Sequence, residues 1–243
     1  MYCHKKDYEI RYTDVDLSDN LKLSSLLSMM EESACFSADE LGFGYEFLKP
    51  KNYGFIMVNW YIELFSPIKL GDVVTIHTWP IKPKRLIIFR DFELYVGEKK
   101  VGVATSRWCV VDLNTFSMLP SSAVLSPDMP YNDFRSVDVT AIKIPEISVS
   151  EPSYSKAVSY SDYDHYNHVN NTKYADFLLD AFSVDEIADK FIETVKITYV
   201  KQSKYGDVLD FYRQMQDDGT WIVEGRANGE LRVQMAVKFN EKL

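Results

Sequence analysis

The chain has 243 residues, 46% apolar and 26% charged, which suffices for one large globular domain or two small ones. A net charge of −9 argues against nucleic acid or an anionic membrane surface as partner, and no apolar run approaches the ~18 residues of a spanning helix. The three cysteines, Cys3, Cys35 and Cys109, lie far apart with no C-x-x-C spacing, so free thiols in a reducing compartment fit better than a disulfide frame or a zinc site.

The amino terminus, M-Y-C-H-K-K-D-Y-E-I, has neither an apolar leader segment nor Ser/Arg-rich transit character, and a cytoplasmic location is expected. Tyr8 to Tyr12 reads as a short strand, followed by T-D-V-D-L-S-D-N. Leu23, Leu26, Leu27, Met30 and Ala34 then recur at the spacing of an amphipathic helix, with Ser18, Asp19 and Asn20 as eligible caps and Gly42 and Gly44 beyond its end. Phe55–Leu64, Val73–Trp79, Leu86–Tyr95 and Lys100–Asp112 are rich in Val, Ile and aromatic residues and are punctuated by Pro and Gly, as strands are. Asn114 to Pro152 gathers proline and serine with few apolar runs and reads as a crossover.

The next stretch, Tyr160 to Tyr174, reads Y-S-D-Y-D-H-Y-N-H-V-N-N-T-K-Y. It crowds carboxylates, imidazoles and carboxamides together ahead of an apolar helical stripe formed by Tyr174, Phe177, Leu178, Ala181 and Phe182. Acid–base chemistry needs such groups around one reacting atom, and a helix start adds unpaired N–H groups that can hold an oxyanion. Trp221–Asn228 and Leu231–Phe239 close the chain as further strands.

The pattern is duplicated. Tyr12-Thr13-Asp14-Val15-Asp16 matches Tyr160-Ser161-Asp162-Tyr163-Asp164 at an offset of 148, and each match is followed by a helical stripe. I-E-L-F-S-P-I-K-L-G-D-V-V (62–74) matches I-T-Y-V-K-Q-S-K-Y-G-D-V-L (197–209) at an offset of 135. Two copies of strand, helix and antiparallel run make an α+β protein with one helix on a curled sheet in each copy. The expected division is a first domain over 1–135, a linker over 136–152 and a second domain over 153–243.

Read as chemistry, the stretch offers His168 as a base, with Asp164 either orienting it or taking the proton itself. The plainer reading has His168 capping the helix and Asp164 binding loop N–H groups. His165 and His168 with Asp162 and Asp164 invite a metal, but the segment precedes the helix and no third histidine lies near in sequence, so no metal is expected. The first copy keeps Asp14 and Asp16 but carries Asn20 in place of His168, and so reads as catalytically degenerate.

The two-copy layout and this stretch together resemble the acyl-acyl carrier protein thioesterases, a family with two tandem hotdog domains, each a long helix wrapped by an antiparallel sheet. The family pattern D-x-D-x-N-x-H-V-N-N-x-x-Y falls on Asp162, Asp164, Tyr166, His168, Val169, Asn170, Asn171 and Tyr174, with Thr78–Pro80, Arg90-Asp91-Phe92 and Ser106-Arg107-Trp108 in support. Two positions depart from it. Tyr166 stands where the family has Asn, with Asn167 one residue on, and Gln202 stands where it has an acidic residue.

The resemblance implies hydrolysis of the thioester between a fatty acyl chain and carrier-protein phosphopantetheine in fatty acid biosynthesis, with no cofactor and with the acyl chain in a tunnel formed largely by the first domain. Its catalytic positions fall on Asp164, Tyr166, His168 and Gln202, with Ser203 adjacent. The candidate catalytic residues are therefore Asp164, His168, Gln202 and Asn167. The candidate substrate-binding residues are Tyr166, Val169, Asn170, Asn171 and Ser203. Backbone N–H groups near Val169 to Asn171 would hold the oxyanion, while Asn170 and Asn171 side chains hold the turn. Lys82, Lys84, Arg85, Lys99 and Lys100 are basic clusters on an acidic chain, suited either to solvated turns or to an acidic carrier protein. An acyl-thioester binding protein without turnover and an acyl-CoA thioesterase are the rival functions. A fused pair already satisfies two-copy packing, so a monomer or weak homodimer is expected.

Overall fold

The computed structural model describes residues 2–139, 142–164 and 166–241. In chain order its elements are β1 (His4–Glu9), α1 (Leu23–Glu40), α2 (Tyr45–Leu48), β2 (Tyr53–Leu64), β3 (Val73–Lys84), β4 (Ile87–Val96), β5 (Lys99–Asp112), β6 (Met118–Leu119), β7 (Tyr154–Ala157), α3 (Asn171–Leu179), α4 (Val184–Ile187), β8 (Lys190–Tyr199), β9 (Val208–Met215), β10 (Trp221–Ala227) and β11 (Glu230–Glu241). The strands form one sheet in the order β1-β3-β4-β5-β2-β8-β11-β10-β9-β7, with β6 added to β5. The first five strands belong to the first copy and the last five to the second. The copies meet edge to edge where β2 runs antiparallel to β8, from Asn59 opposite Thr198 to Glu63 opposite Thr194.

Alternation along the strands sets the two faces of this sheet. One face turns Trp60, Ile62, Val74, Ile76, Phe92, Val195, Ile197, Phe211, Val223 and Met235 towards α1 and α3, whose buried sides include Leu23, Leu26, Leu27 and Met30 on α1 and Tyr174, Phe177 and Leu178 on α3. One continuous core therefore spans both copies. The opposite face carries the crossover: Ile144 and Ile147 pack on Ile222 and Ala236. Two buried carboxylates fasten it there. Asp91, fully buried on β4, accepts from Arg135 Nε at 2.8 Å and Nη2 at 3.2 Å and from Ser136 N–H at 2.9 Å. Glu224, fully buried on β10, accepts from Ile147 N–H at 3.2 Å and Gln234 Nε2 at 2.9 Å.

Several expected elements shift. The first strand ends at Glu9, and Tyr12–Asp14 is a single 3-10 turn. Ser18, Asp19 and Asn20 do not cap α1, whose N-cap is Lys22. They form a tight turn in which Asp16 Oδ1 accepts from Ser18 and Asn20 N–H and Asp19 has φ 58°. The second helix is short and stops at Leu179, leaving Ala181 and Phe182 in the turn beyond it, where Phe182 packs edge-on against Trp221 and Phe239. β7, β8 and β9 were not legible as strands from the sequence. No described helix is long and apolar enough to cross a membrane.

Candidate active site

The offset of 148 is also a repeat of hydrogen bonds. In the first copy Asp16 N–H donates to Asn20 O and Lys22 N–H to Asp14 O; in the second, Asp164 N–H donates to His168 O and Asn170 N–H to Asp162 O. Val15 bridges Leu21 as Tyr163 bridges Val169. Asp162, whose carboxylate accepts from Ser159 N–H and Lys156 Nζ, is buried and structural, and the half-buried Asp14 likewise accepts from Arg11 N–H.

Within this frame the second loop turns back on itself so that residues 164 and 168 lie side by side. Asp164 Oδ1 accepts from Tyr166 N–H at 2.8 Å, and Asn167 N–H donates to Asp164 O. Asn167 has φ 64°, a left-handed conformation that Asn tolerates better than most residues, so the turn itself accounts for an Asn here; its side chain is exposed. His168 is neither at bulk solvent nor sealed: its side chain is 21% exposed, beside the 17% exposed Asp164. Its Nδ1 lies 3.3 Å from Val169 O and 3.7 Å from Asp164 Oδ2. Both neighbours are acceptors, so the proton of a neutral ring belongs on Nδ1, and Nε2 keeps its lone pair. Tyr166 stacks along the imidazole, rings 6.2 Å apart and 14° from parallel, with its phenol pushed up by burial.

His168 does not cap the helix. Asn170 does, its Oδ1 accepting from Thr172 N–H at 2.9 Å and Thr172 Oγ1 at 2.8 Å. Asn171 is the first residue of α3, where the N–H has no intrahelical acceptor, and its carbonyl accepts from Tyr199 OH at 3.1 Å. Val169 is buried against the helix. The 202–205 turn is tied to the loop by Tyr205 N–H donating to Tyr163 OH, and to α3 by Ser203 N–H donating to Tyr174 OH at 3.1 Å. Gln202 is half-buried there, its carbonyl accepting from Arg232 Nη1. Ser203 is fully buried with its Oγ unpartnered, and so supports the turn from beneath. His165 lies outside the described residues, and the remaining described residues hold no group of three metal-ligating side chains.

The first copy's counterpart is closed to this chemistry. Asn20 is 5% exposed and its Oδ1 accepts from Lys69 Nζ at 2.6 Å. Asp16 and Asn20 border a cavity of about 400 Å³ lined by Leu26, Leu179, Phe191 and Phe239, at the seam between the copies.

Sequence reasoning missed what faces the second loop from the other copy. Glu31, on α1, feels the charge of Asp164 and the indole of Trp60, and burial pushes its carboxyl up to about 8. The readable signal was its position: Leu27, Glu31 and Ala34 follow the i, i+4, i+7 spacing, so a carboxyl interrupts the apolar stripe of the helix.

Residues 1–119 match the family model described as the acyl-ACP thioesterase N-terminal domain, and residues 149–241 match its C-terminal domain. Similar curated proteins include oleoyl-acyl carrier protein thioesterases, chloroplastic, from Coriandrum sativum (21% identical over 227 residues, 85% of this chain and 61% of the relative) and from Arabidopsis thaliana (22% identical over 227 residues, 85% and 62%). The chain thus spans about three fifths of the length of those relatives. An acyl-ACP thioesterase structure from Bacteroides thetaiotaomicron superposes with a TM-score of 0.87 at 26% identity, covering 98% of both chains. A 12:0-ACP thioesterase from Umbellularia californica shares the fold, with a TM-score of 0.87 at 16% identity over 99% of this chain and 98% of the other.

Proposed function

The chain belongs to the acyl-ACP thioesterase family, and from that premise we propose that it hydrolyses the thioester joining a fatty acyl chain to the phosphopantetheine of an acyl carrier protein, releasing free fatty acid in fatty acid biosynthesis. The observation that carries this reading is the His168 ring, held at Nδ1 beside Val169 O and Asp164, with Nε2 bonded to none of the described residues. Water attacks the thioester carbonyl as Nε2 takes its proton. The oxyanion meets N–H groups at the start of α3, of which Asn171 N–H is the one with no helical acceptor. Collapse breaks the C–S bond, and the imidazolium returns the proton to sulfur, giving carboxylic acid and thiol. The reaction as written uses no metal or organic cofactor.

The domain division at 136–152 and an acyl tunnel in the first copy remain part of this proposal, as does a monomer or weak homodimer in the cytoplasm. The three cysteines are free thiols, which suits a reducing compartment. Free thiol released from acyl-carrier and acyl-CoA thioesters tests the activity directly. Tight binding of both without release would favour the non-hydrolytic reading, for which the Tyr166 ring stacked on His168 is the supporting observation.

The β3–β4 turn offers the docking surface for the acidic carrier. Lys82 and Lys84 at the end of β3 and Arg85 in the turn itself lie there, whereas Lys100 is engaged by Glu93. Reversing charge with Lys84→Glu and Arg85→Glu should raise KM for acyl-carrier substrate about tenfold and leave acyl-CoA hydrolysis unchanged. Equal losses on both substrates would remove the docking role.

A further inference from the structure

Glu31 takes part in no ion pair among the described residues, and its one hydrogen-bonding neighbour in the core is the Trp60 indole. It lies on the sheet-facing stripe of α1, half-buried, with its Oε1 atom enclosed and without a hydrogen-bond partner. The indole N–H of Trp60 on β2 is close enough to act on the carboxyl, yet Trp60 Nε1 is also buried and unpartnered. The two groups are within reach of each other, yet among the described residues neither buried atom makes a hydrogen bond of good geometry, which is costly unless something else satisfies them. The groups around Glu31 come from both copies: Trp60 from β2, Tyr199 from β8, Asp164 from the second loop and Cys35 one turn along α1. Tyr199 is tied to the start of α3 through Asn171 O, so the same neighbourhood holds the N–H proposed for the oxyanion.

The repeat supplies an independent comparison. Shifting by 148 places Leu179 of α3 at the position of Glu31. Leu179 lines the cavity shared with Asp16 and Asn20, the counterparts of Asp164 and His168. At each end of the seam the loop of one copy therefore faces the helix of the other. The end that keeps the histidine has a carboxyl on the opposing helix, and the end that lost it has leucine.

We propose that Glu31 is a working residue of the site, a protonated carboxyl contributed by the first copy that donates, together with Trp60 Nε1–H, to the carbonyl oxygen of the bound thioester. This role rests on the hydrolase reading for its substrate. A neutral acid is the form that serves, because an anion would repel both Asp164 and the developing oxyanion. Burial, and secondarily the Asp164 charge, keep the proton on Glu31 up to about pH 8. The thiol of Cys35 and the phenol of Tyr199 are both held above their ordinary values, Tyr199 far above.

The test separates this role from turnover by using binding. The probe is an acyl-pantetheine ketone, with CH2 in place of the thioester sulfur, titrated by calorimetry between pH 6 and 9.5 alongside hydrolysis of the acyl-carrier substrate. Wild-type affinity should fall above about pH 8. Glu31→Gln, which keeps a neutral donor, should hold its affinity through that range. Glu31→Ala should bind about tenfold more weakly than wild type below about pH 8, show no further fall above it so that the two converge, and hydrolyse about a hundredfold more slowly at neutral pH, with its melting temperature checked to confirm folding. Binding that follows this pattern without hydrolysis would sink the hydrolase reading and keep the Glu31 assignment. Wild-type and Glu31→Ala binding that coincide at all pH values would overturn the assignment and leave the hydrolase intact. A wild type that does not bind the ketone at all would overturn both.

Discussion

Replacing His168 with alanine is expected to lower kcat for acyl-thioester hydrolysis by about a thousandfold while changing substrate affinity only a few-fold. Among the described residues the ring is held by Nδ1, towards Val169 O and Asp164 Oδ2, and by stacking on the exposed Tyr166, and the helix is capped by Asn170. Its removal therefore takes away a base without dismantling the loop. Asp164→Asn should cost nearly as much, since an amide beside Nδ1 no longer favours the imidazolium. The two changes act on one proton transfer, so the double variant should be little worse than His168→Ala alone. Single-turnover rates at saturating substrate measure this. A His168→Ala enzyme that keeps more than a tenth of the wild-type rate would move the base elsewhere.

The largest stability effect is expected far from that site, at Asp91. Asp91→Ala removes the fully buried acceptor of three donors, leaving the Arg135 guanidinium with only Thr105 Oγ1 as an acceptor on the sheet and the Ser136 N–H without its acceptor. Breaking a buried ion pair from one side costs about 3 kcal/mol or more, and the urea midpoint should fall accordingly with the m value unchanged. Removing both partners, as Asp91→Ala with Arg135→Met, should cost less than the sum of the two single changes, because no charge is then left stranded. Additive losses would mean that the crossover is held by its apolar contacts, such as Ile144 and Ile147 on Ile222 and Ala236, and that Asp91 is incidental.

These two sites mark the limits of what the sequence discloses. The loop from Tyr160 to Asn171 was legible because its hydrogen bonds are local: Asp162, Asp164, His168 and Asn170 bond within a few residues, and the same spacing occurs again at Asp14 to Lys22. The stripe of α1 was legible for the same reason. Its start was not, because Lys22 N–H reaches back to Asp14 O, a tertiary contact that overrides the caps at Ser18 to Asn20. β8 and β9 were missed because Lys190–Tyr199 and Val208–Met215 mix polar and apolar residues, and their buried positions are set by β11, β2 and β10 alongside. Asp91 was noticed only as part of a motif, since its partner lies 44 positions away. Glu31 is the sharpest case: its neighbours Trp60, Asp164 and Tyr199 are distributed over most of the chain.

The seam between β2 and β8 has one more consequence. Two identical subunits related by a twofold axis must present the same residue at both ends of their shared interface. Joining the copies in one polypeptide removes that obligation, and here one end holds histidine across from a carboxyl while the other holds asparagine across from leucine. Each end can mutate without an echo at its opposite, so the cavity beside Leu179 can be reshaped without touching the loop that carries Asp164 and His168.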